Sequence, residues 1–278
     1  MIAYTTYSEA GGVGKTTLAT NLAHLHAQRH HDVLTIDLDP QQGSLTYLLD
    51  IDAIRDDPEV DNIARHLIGR SKGPLTKLIR GTSYGFDVIP SHNMLENLGN
   101  LLNQAEEMAN ELGDEFRLND RLRQVLSDAA VTNDYDIIII DPPATAGPHL
   151  YNAVAATRSL VIPVEPTGKG IQSVNGIEDI VDNLEEQLGF EAGVLAVVPN
   201  GVGQTTDQQQ YLEEVGHLGY EVPVVIRDRT SLFEGCWDER CTAIEYIESH
   251  RSQKRDYELE TIAKLEQLTT HIEEVGSA

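Results

Sequence analysis

Residues 8–17 read Ser8-Glu9-Ala10-Gly11-Gly12-Val13-Gly14-Lys15-Thr16-Thr17, and what stands on either side of them decides the fold. An apolar stretch, Ile2 to Tyr7, leads in, and Leu18, Leu22 and Leu25 follow at helical spacing. Strand, glycine-rich turn and helix in that order form a loop that holds phosphate. Gly11, Gly12 and Gly14 let the backbone turn tightly and present its N–H groups with no Cβ in the way. A helix starting near Lys15 adds the positive end of its dipole to the same anion. The cradle therefore spans Gly11, Gly12, Val13, Gly14, Lys15, Thr16 and Thr17. Within it Lys15 supplies a point charge for β- and γ-phosphates, and the Thr16 hydroxyl is placed for Mg²⁺. A glycine-rich turn that binds nothing would not need strand, Gly-Lys-Thr-Thr and helix to coincide.

Two acidic strand ends belong with this loop. Val33 to Ile36 reads as a buried strand running into Asp37-Leu38-Asp39-Pro40-Gln41-Gln42-Gly43. A carboxylate at the carboxyl end of a parallel strand lies beside the phosphate loop, so Asp39 is suited to order a metal-bound or attacking water. Ile137 to Ile140 are four consecutive isoleucines, the pattern of a strand buried on both faces. Asp141 leaves that strand at its carboxyl end, suited to hold Mg²⁺ through a water. Further strands are read at Phe86–Ile89, Ser159–Val164, Val194–Val198 and Pro223–Ile226. Asn200, at the end of the sixth of these seven strands, carries a donor and an acceptor and can read the edge of adenine. Strands alternating with helices predict an α/β fold, a doubly wound, mostly parallel seven-stranded sheet with helices on both faces. Residues 1–278 read as one such unit.

The run Gly11-Gly12-Val13-Gly14-Lys15-Thr16-Thr17 resembles the deviant Walker A box of the ParA/MinD family of P-loop ATPases, usually written KGGxGK[ST]T. The likeness is nearest to the ParA-type partition ATPases and covers residues 1 to about 250. Asp37 to Gly43 is similar to the family's switch I, which makes Asp39 the hydrolytic aspartate in contact with the Mg²⁺ shell and Asp37 an organiser of the site. Asp136 to Pro143 resembles Walker B, with Pro142 to Gly147 as switch II. Pro90-Ser91 resembles the family's strand end at that point, and Leu112 to Leu118 the segment before Walker B. Asn200 matches an asparagine that binds adenine, and Arg227 to Gly235 resembles a closing segment that borders the base. The resemblance implies ATP and Mg²⁺ as cofactors and hydrolysis of the γ-phosphate, with Lys15 and the metal stabilising charge while Asp39 places water. It also implies a homodimer formed with ATP, non-specific DNA binding and a ParB-like centromere-binding partner, in the cytoplasm and at the nucleoid. One position departs. Where the family has a lysine that reaches the partner subunit's nucleotide, this chain has Ala10, so ATP-coupled dimerisation should be weaker or rest on another residue.

Composition narrows the classes. The formal net charge is −25, from 45 acidic and 20 basic residues, only six of them lysine. Such a surface suits molar salt, where the Debye length is about 3 Å, so a halophilic source is expected; an ordinary acidic cytosolic protein is the alternative. No signal peptide opens the sequence, and no apolar run nears the ~20 residues that span a bilayer. Cys236 and Cys241 are too few for a disulfide framework and read as buried or incidental thiols. His24, His26, His30 and His31 lack carboxylate or thiol neighbours in ligand spacing and read as a solvated helix end. The last helix, Tyr257 to Val275, sets Leu259, Ile262, Leu265, Leu268, Ile272 and Val275 on a docking face. Glu258, Glu260, Glu266, Glu273 and Glu274 fall on its polar side, the wrong sign for an anionic membrane. That opposes a MinD-like membrane switch, and a missing cysteine constellation opposes an iron–sulfur carrier. A slowly hydrolysing, nucleotide-dependent interaction switch stays open because of Ala10. Arg227, Arg229, Arg240, Arg251, Lys254 and Arg255 are the candidate DNA contacts, with solvated arginines offsetting an acidic surface as the equal alternative.

Overall fold

The computed structural model describes residues 1–166, 170–203 and 205–277. Its strands are β1 (Ile2–Thr6), β2 (Val33–Asp37), β3 (Arg80–Gly81), β4 (Asp87–Ile89), β5 (Ile137–Asp141), β6 (Ser159–Val164) and β7 (Gly193–Pro199). They form one sheet in the order β3-β4-β2-β5-β1-β6-β7. Every pairing is parallel except that of β3 with β4. The helices are α1 (Lys15–Gln28), α2 (Leu45–Leu48), α3 (Ile63–Leu67), α4 (Leu98–Leu112), α5 (Arg121–Asp128) and α6 (Pro148–Thr157). α7 (Gly170–Leu188), α8 (Thr206–Val215), α9 (Thr230–Glu239), α10 (Ala243–Glu245) and α11 (Asp256–Gly276) follow.

The isoleucines of β5 show how the layers are built. Successive side chains on a strand face opposite ways. Ile137 and Ile139 accordingly join the core of α1 and α11, with Leu18, Leu22, Leu265, Leu268 and Ile272. Ile138 and Ile140 join a second core on the other face, with Leu98, Leu102, Leu122 and Leu126. A third core packs Leu160 and Ile162 of β6 against α6, α7 and α8. Both faces are covered, as the doubly wound reading requires. β1 lies between β5 and β6, so the crevice for a ligand opens at its carboxyl end, where strand order reverses.

Seven strands are present among the described residues, but one is not the expected one. Pro223–Ile226 forms no strand. The segment runs beside β7, with the Val197 N–H donating to the Glu221 carbonyl at 2.9 Å and the Ile226 N–H to the Pro199 carbonyl at 2.8 Å. Pro223 stands between these bonds with no N–H to give, so the ladder cannot run on. Val224 and Ile226 are buried all the same, which is what produced the apolar pattern. The seventh strand is β3, two exposed residues whose polarity hides it in the sequence.

The histidines of α1 also differ from expectation. His26 is fully buried, not solvated, with Nδ1 2.8 Å from Glu273 and Nε2 3.2 Å from the Tyr4 hydroxyl. Burial pushes its pKa down to about 4, so the neutral ring donates to Glu273 and accepts from Tyr4. His24 is buried too, against the Thr242 hydroxyl at 2.9 Å. Only His30 and His31 keep contact with solvent. In α11, Leu265, Leu268 and Ile272 dock as expected, whereas Leu259 and Val275 are exposed. Glu258 is buried, not on the polar side, because Arg251 Nη2 reaches its carboxylate at 2.6 Å. Cys236 and Cys241 are free and buried.

Candidate active site

The loop after β1 is shaped by two glycines. Gly12 has φ +80° and Gly14 φ +92°, backbone that side chains rarely adopt. A Cβ on Gly14 would stand 2.5 Å from Asn200 Nδ2, so a side chain there would also have to push that amide aside. Gly14 also caps α1, whose first residue is Lys15. The free N–H groups of the first turn therefore point out of the loop toward the crevice.

Four charged groups meet beside the loop. Lys15 is 8 % exposed, and Nζ donates to the Ala10 carbonyl at 3.2 Å. Desolvation lowers its pKa, while Asp141 and Asp39 favour its charge. Asp141 is 1 % exposed. The Thr6 hydroxyl donates to its Oδ1 at 3.0 Å, and its Oδ2 is buried with no hydrogen-bond partner. Burial and the nearby Asp37 push its pKa up to about 7, and the hydroxyls of Thr16 and Thr6 pull the other way. Asp37 is fully buried and raised to about 6 by desolvation, against hydrogen bonds from Thr46, Ser44 and Asp39.

These carboxylates disfavour one another's ionised forms, and one buried oxygen has nothing to bond. A divalent cation meets both needs. Hard oxygen donors suit Mg²⁺, which keeps most of its waters and takes only a few protein ligands. Among the described residues no group of three or more His, Cys, Asp or Glu could hold a metal by itself. Thr16, Asp141 and the ligand's own oxygens fit an ion held mainly through water.

Asp39 sits half-buried at the edge of this cluster. Its N–H donates to Asp37 Oδ1 at 2.9 Å, and its Oδ1 accepts from the Gln41 N–H at 2.9 Å. Asp37 Oδ2 accepts from the Thr46 N–H at 2.7 Å and the Thr46 hydroxyl at 2.5 Å. The segment from β2 to α2 is thereby folded back upon Asp37.

Beyond the loop lies a cavity of about 340 Å³, lined by Val13, Thr17, Asn200, Asp228, Phe233 and Trp237 among others. Asn200 Nδ2 donates to the Val13 carbonyl at 2.7 Å, which ties the end of β7 to the loop. That leaves Oδ1 for a ligand, an acceptor suited to adenine's exocyclic amine. Asp228, Arg229, Thr230 and Phe233 come from the segment expected to border the base. Sequence reasoning missed Trp237, whose ring is stacked with Tyr47 at 6.3 Å. It read Ser91 only as part of a strand end, without its bond to the Asp39 carbonyl, and it missed Arg55, which meets the Pro40 carbonyl. An arginine in an acidic stretch carries no pattern of its own.

The candidate DNA contacts do not form one free basic patch. Arg240 is bound to Asp50 and Asp52, each at 2.6 Å. Arg251 is bound to Glu258, Arg227 to the Gly203 carbonyl and Arg229 to the Tyr257 carbonyl. Arg229, Arg251 and Arg255 do gather around Tyr257 and Glu258.

The sequence profile of a family described as an AAA domain matches residues 2–190. The chromosome partitioning protein ParA of Myxococcus xanthus is 30 % identical over 234 residues, 82 % of this chain and 76 % of the relative. The chromosome-partitioning ATPase Soj of Thermus thermophilus is 29 % identical over 217 residues, 77 % of this chain and 76 % of the relative. Among solved structures, a plasmid partition protein of Borrelia burgdorferi bound to AMPPNP superposes with TM-score 0.72 at 20 % identity, over 99 % of this chain and 98 % of that one.

Proposed function

This chain belongs to the ParA/MinD-type P-loop ATPases, within the AAA-domain family, and we propose that it is a Mg²⁺-dependent ATPase that works in DNA partitioning. The observation that carries the ATPase reading is the glycine loop that starts α1 at a buried Lys15, with a buried Asp141 whose Oδ2 has no hydrogen-bond partner; the partitioning role is supported by the relatives. In this reading the amides of Gly11 to Thr17 and the charge of Lys15 hold the phosphates. Thr16, Asp141 and Asp39 would hold the coordination shell of a Mg²⁺ ion, which would supply positive charge at the phosphates. Asp39 orders the attacking water, and Asn200 Oδ1 accepts from the adenine amine. Partners would be a second copy of the chain and a ParB-like protein, in the cytoplasm and at the nucleoid. Non-specific DNA contact falls to Lys254, Arg255 and the arginines beside them, against a net charge of −25.

The test is sedimentation and DNA retention in molar KCl without nucleotide, with ADP and with ATP. DNA held only with ATP supports partitioning; no DNA in any state, beside a measurable ATPase rate, overturns that part of the reading.

Ala10 is exposed and carries no charge to bring to a partner's phosphates. Each charge-assisted phosphate contact contributes on the order of 1.5–3 kcal/mol, and a symmetric dimer lacks two. Weak or nucleotide-insensitive dimerisation and slow basal turnover are expected. Ala10→Lys on an exposed loop should recover only part of the difference, tightening the ATP-bound dimer by about tenfold to a hundredfold. Analytical ultracentrifugation with a non-hydrolysed ATP analogue measures this. A tight, ATP-dependent native dimer that Ala10→Lys leaves unchanged would show another residue in the role.

A second reading, membrane positioning, finds no support in α11. Leu259 and Val275 are exposed there, but the exposed Glu260, Glu266 and Glu274 accompany them, and such charge is repelled by anionic lipid. No described helix is long and apolar enough to cross a membrane. With ATP and anionic liposomes, flotation should leave the protein in the aqueous fraction. Recovery with lipid, lost on deleting residues 257–278, would reverse this.

A further inference from the structure

The acidic stretch from Asp50 to Asp61 carries an arginine that its sequence does not explain. The Arg55 side chain is 8 % exposed. A buried guanidinium has given up its water and needs partners in return. Its nearest carboxylate, on Asp56, is 3.6 Å from Nη1 and itself 72 % exposed. Nε is buried with no partner at all. What Arg55 does hold is the Pro40 carbonyl, which accepts from Nη2. The loop itself does not call for an arginine. Bonds to its carbonyls already fix it, since the Asn93 N–H donates to the Arg55 carbonyl at 3.2 Å and the His92 side chain, through Nε2, to the Asp57 carbonyl at 3.1 Å.

Pro40 follows Asp39, and the Asp39 carbonyl is held as well. The Ser91 hydroxyl donates to it at 2.6 Å. The Ser91 N–H donates at 2.7 Å to the Thr46 hydroxyl, which donates in turn to Asp37. Asp37 accepts the Asp39 N–H, and the ring Asp37–Thr46–Ser91–Asp39 is closed. Asp39 is thus gripped at its own N–H, its own carbonyl and the next carbonyl.

We propose that Ser91 and Arg55 are positioning residues for ATP hydrolysis, holding consecutive carbonyls so that the Asp39 carboxylate stays where it orders the attacking water. This rests on the reading of Asp39 as the hydrolytic aspartate. The physical need is plain, because Asp39 stands in a loop, and a displacement of about 1 Å in a reacting geometry costs on the order of a hundredfold in rate. Both residues act through the backbone of the loop. Neither lines the phosphate loop or the cavity beyond it.

The experiment pairs steady-state ATPase kinetics with hydrogen exchange on the nucleotide-free full chain. Ser91→Ala and Arg55→Gln should lower kcat by roughly tenfold to a hundredfold while KM for ATP stays within about threefold. Ser91→Thr, which keeps the hydroxyl, should restore most of the rate. Exchange in peptides covering residues 38–46 should quicken by about tenfold in the two impaired variants, as expected when a local restraint is lost. A merely structural role would raise KM and lower the melting temperature together with kcat. Parental kcat and parental exchange in both variants overturn the proposal, and Ser91→Ala, which removes one hydroxyl, is mild enough to decide it alone. Asp39→Ala in the same assays separates the two readings. Parental turnover there would sink the role of Asp39, while the exchange data still say whether Ser91 and Arg55 hold the loop.

Discussion

Lys15→Ala should lower affinity for Mg-ATP by about three orders of magnitude, the largest loss expected from any single side chain here. Two effects add. The ammonium group is the one cation among the four charged groups at the loop, and each charge-assisted phosphate bond contributes about 1.5–3 kcal/mol. Its removal also leaves Asp39 and Asp141, both electrostatically coupled to it, facing the phosphates uncompensated. The fold should tolerate the change. Nζ holds only the Ala10 carbonyl, at 3.2 Å, a bond it must release in any case to reach phosphate. The melting temperature should therefore stay within a few degrees of the parent while titration calorimetry loses its signal. Unchanged affinity would mean that the loop is a turn and not a phosphate site.

How much of this was legible beforehand depends on whether a residue works by local pattern or by distant contact. The phosphate loop is local. Its glycines, lysine and threonines adjoin in sequence because one turn and one helix end do all the work. The isoleucines of β5 are legible for a similar reason, since burial on both faces leaves no polar position in the strand. Pro223 to Ile226 misled because a segment buried beside a sheet has the same apolar pattern as a strand within it, and only the ladder tells them apart. Neither the residues near His26 in sequence nor the helical periodicity around Glu258 shows a partner, because both describe a helix on its own. Their partners, Glu273 and Arg251, lie 247 and seven residues away. The stretch from Asp50 to Asp61 was opaque because it has little regular structure, and its use, delivering Arg55 to Pro40, spans 15 residues of chain.

Asp39→Ala is the complementary prediction, with ATP still bound and turnover lowered by two to three orders of magnitude, within the range a positioned general base contributes, ~10²–10⁴-fold. Affinity should stay within about threefold of the parent, because phosphate binding is assigned to Lys15 and the loop amides. The loop should keep its shape, because the bonds from Asp37, Ser91 and Arg55 go to backbone groups that the substitution leaves in place. Only the bond from the Gln41 N–H to the side chain is lost. Asp39→Asn refines the test, since it keeps an acceptor of the same shape for that N–H and removes the charge. If Asp39 only orients water by hydrogen bonding, Asn should retain part of the rate. If the carboxylate also draws a proton from the water or steadies the metal's shell, Asn should be as slow as Ala. Single-turnover hydrolysis with saturating Mg-ATP distinguishes these, and parental rates in both variants would reduce Asp39 to a structural part of the loop.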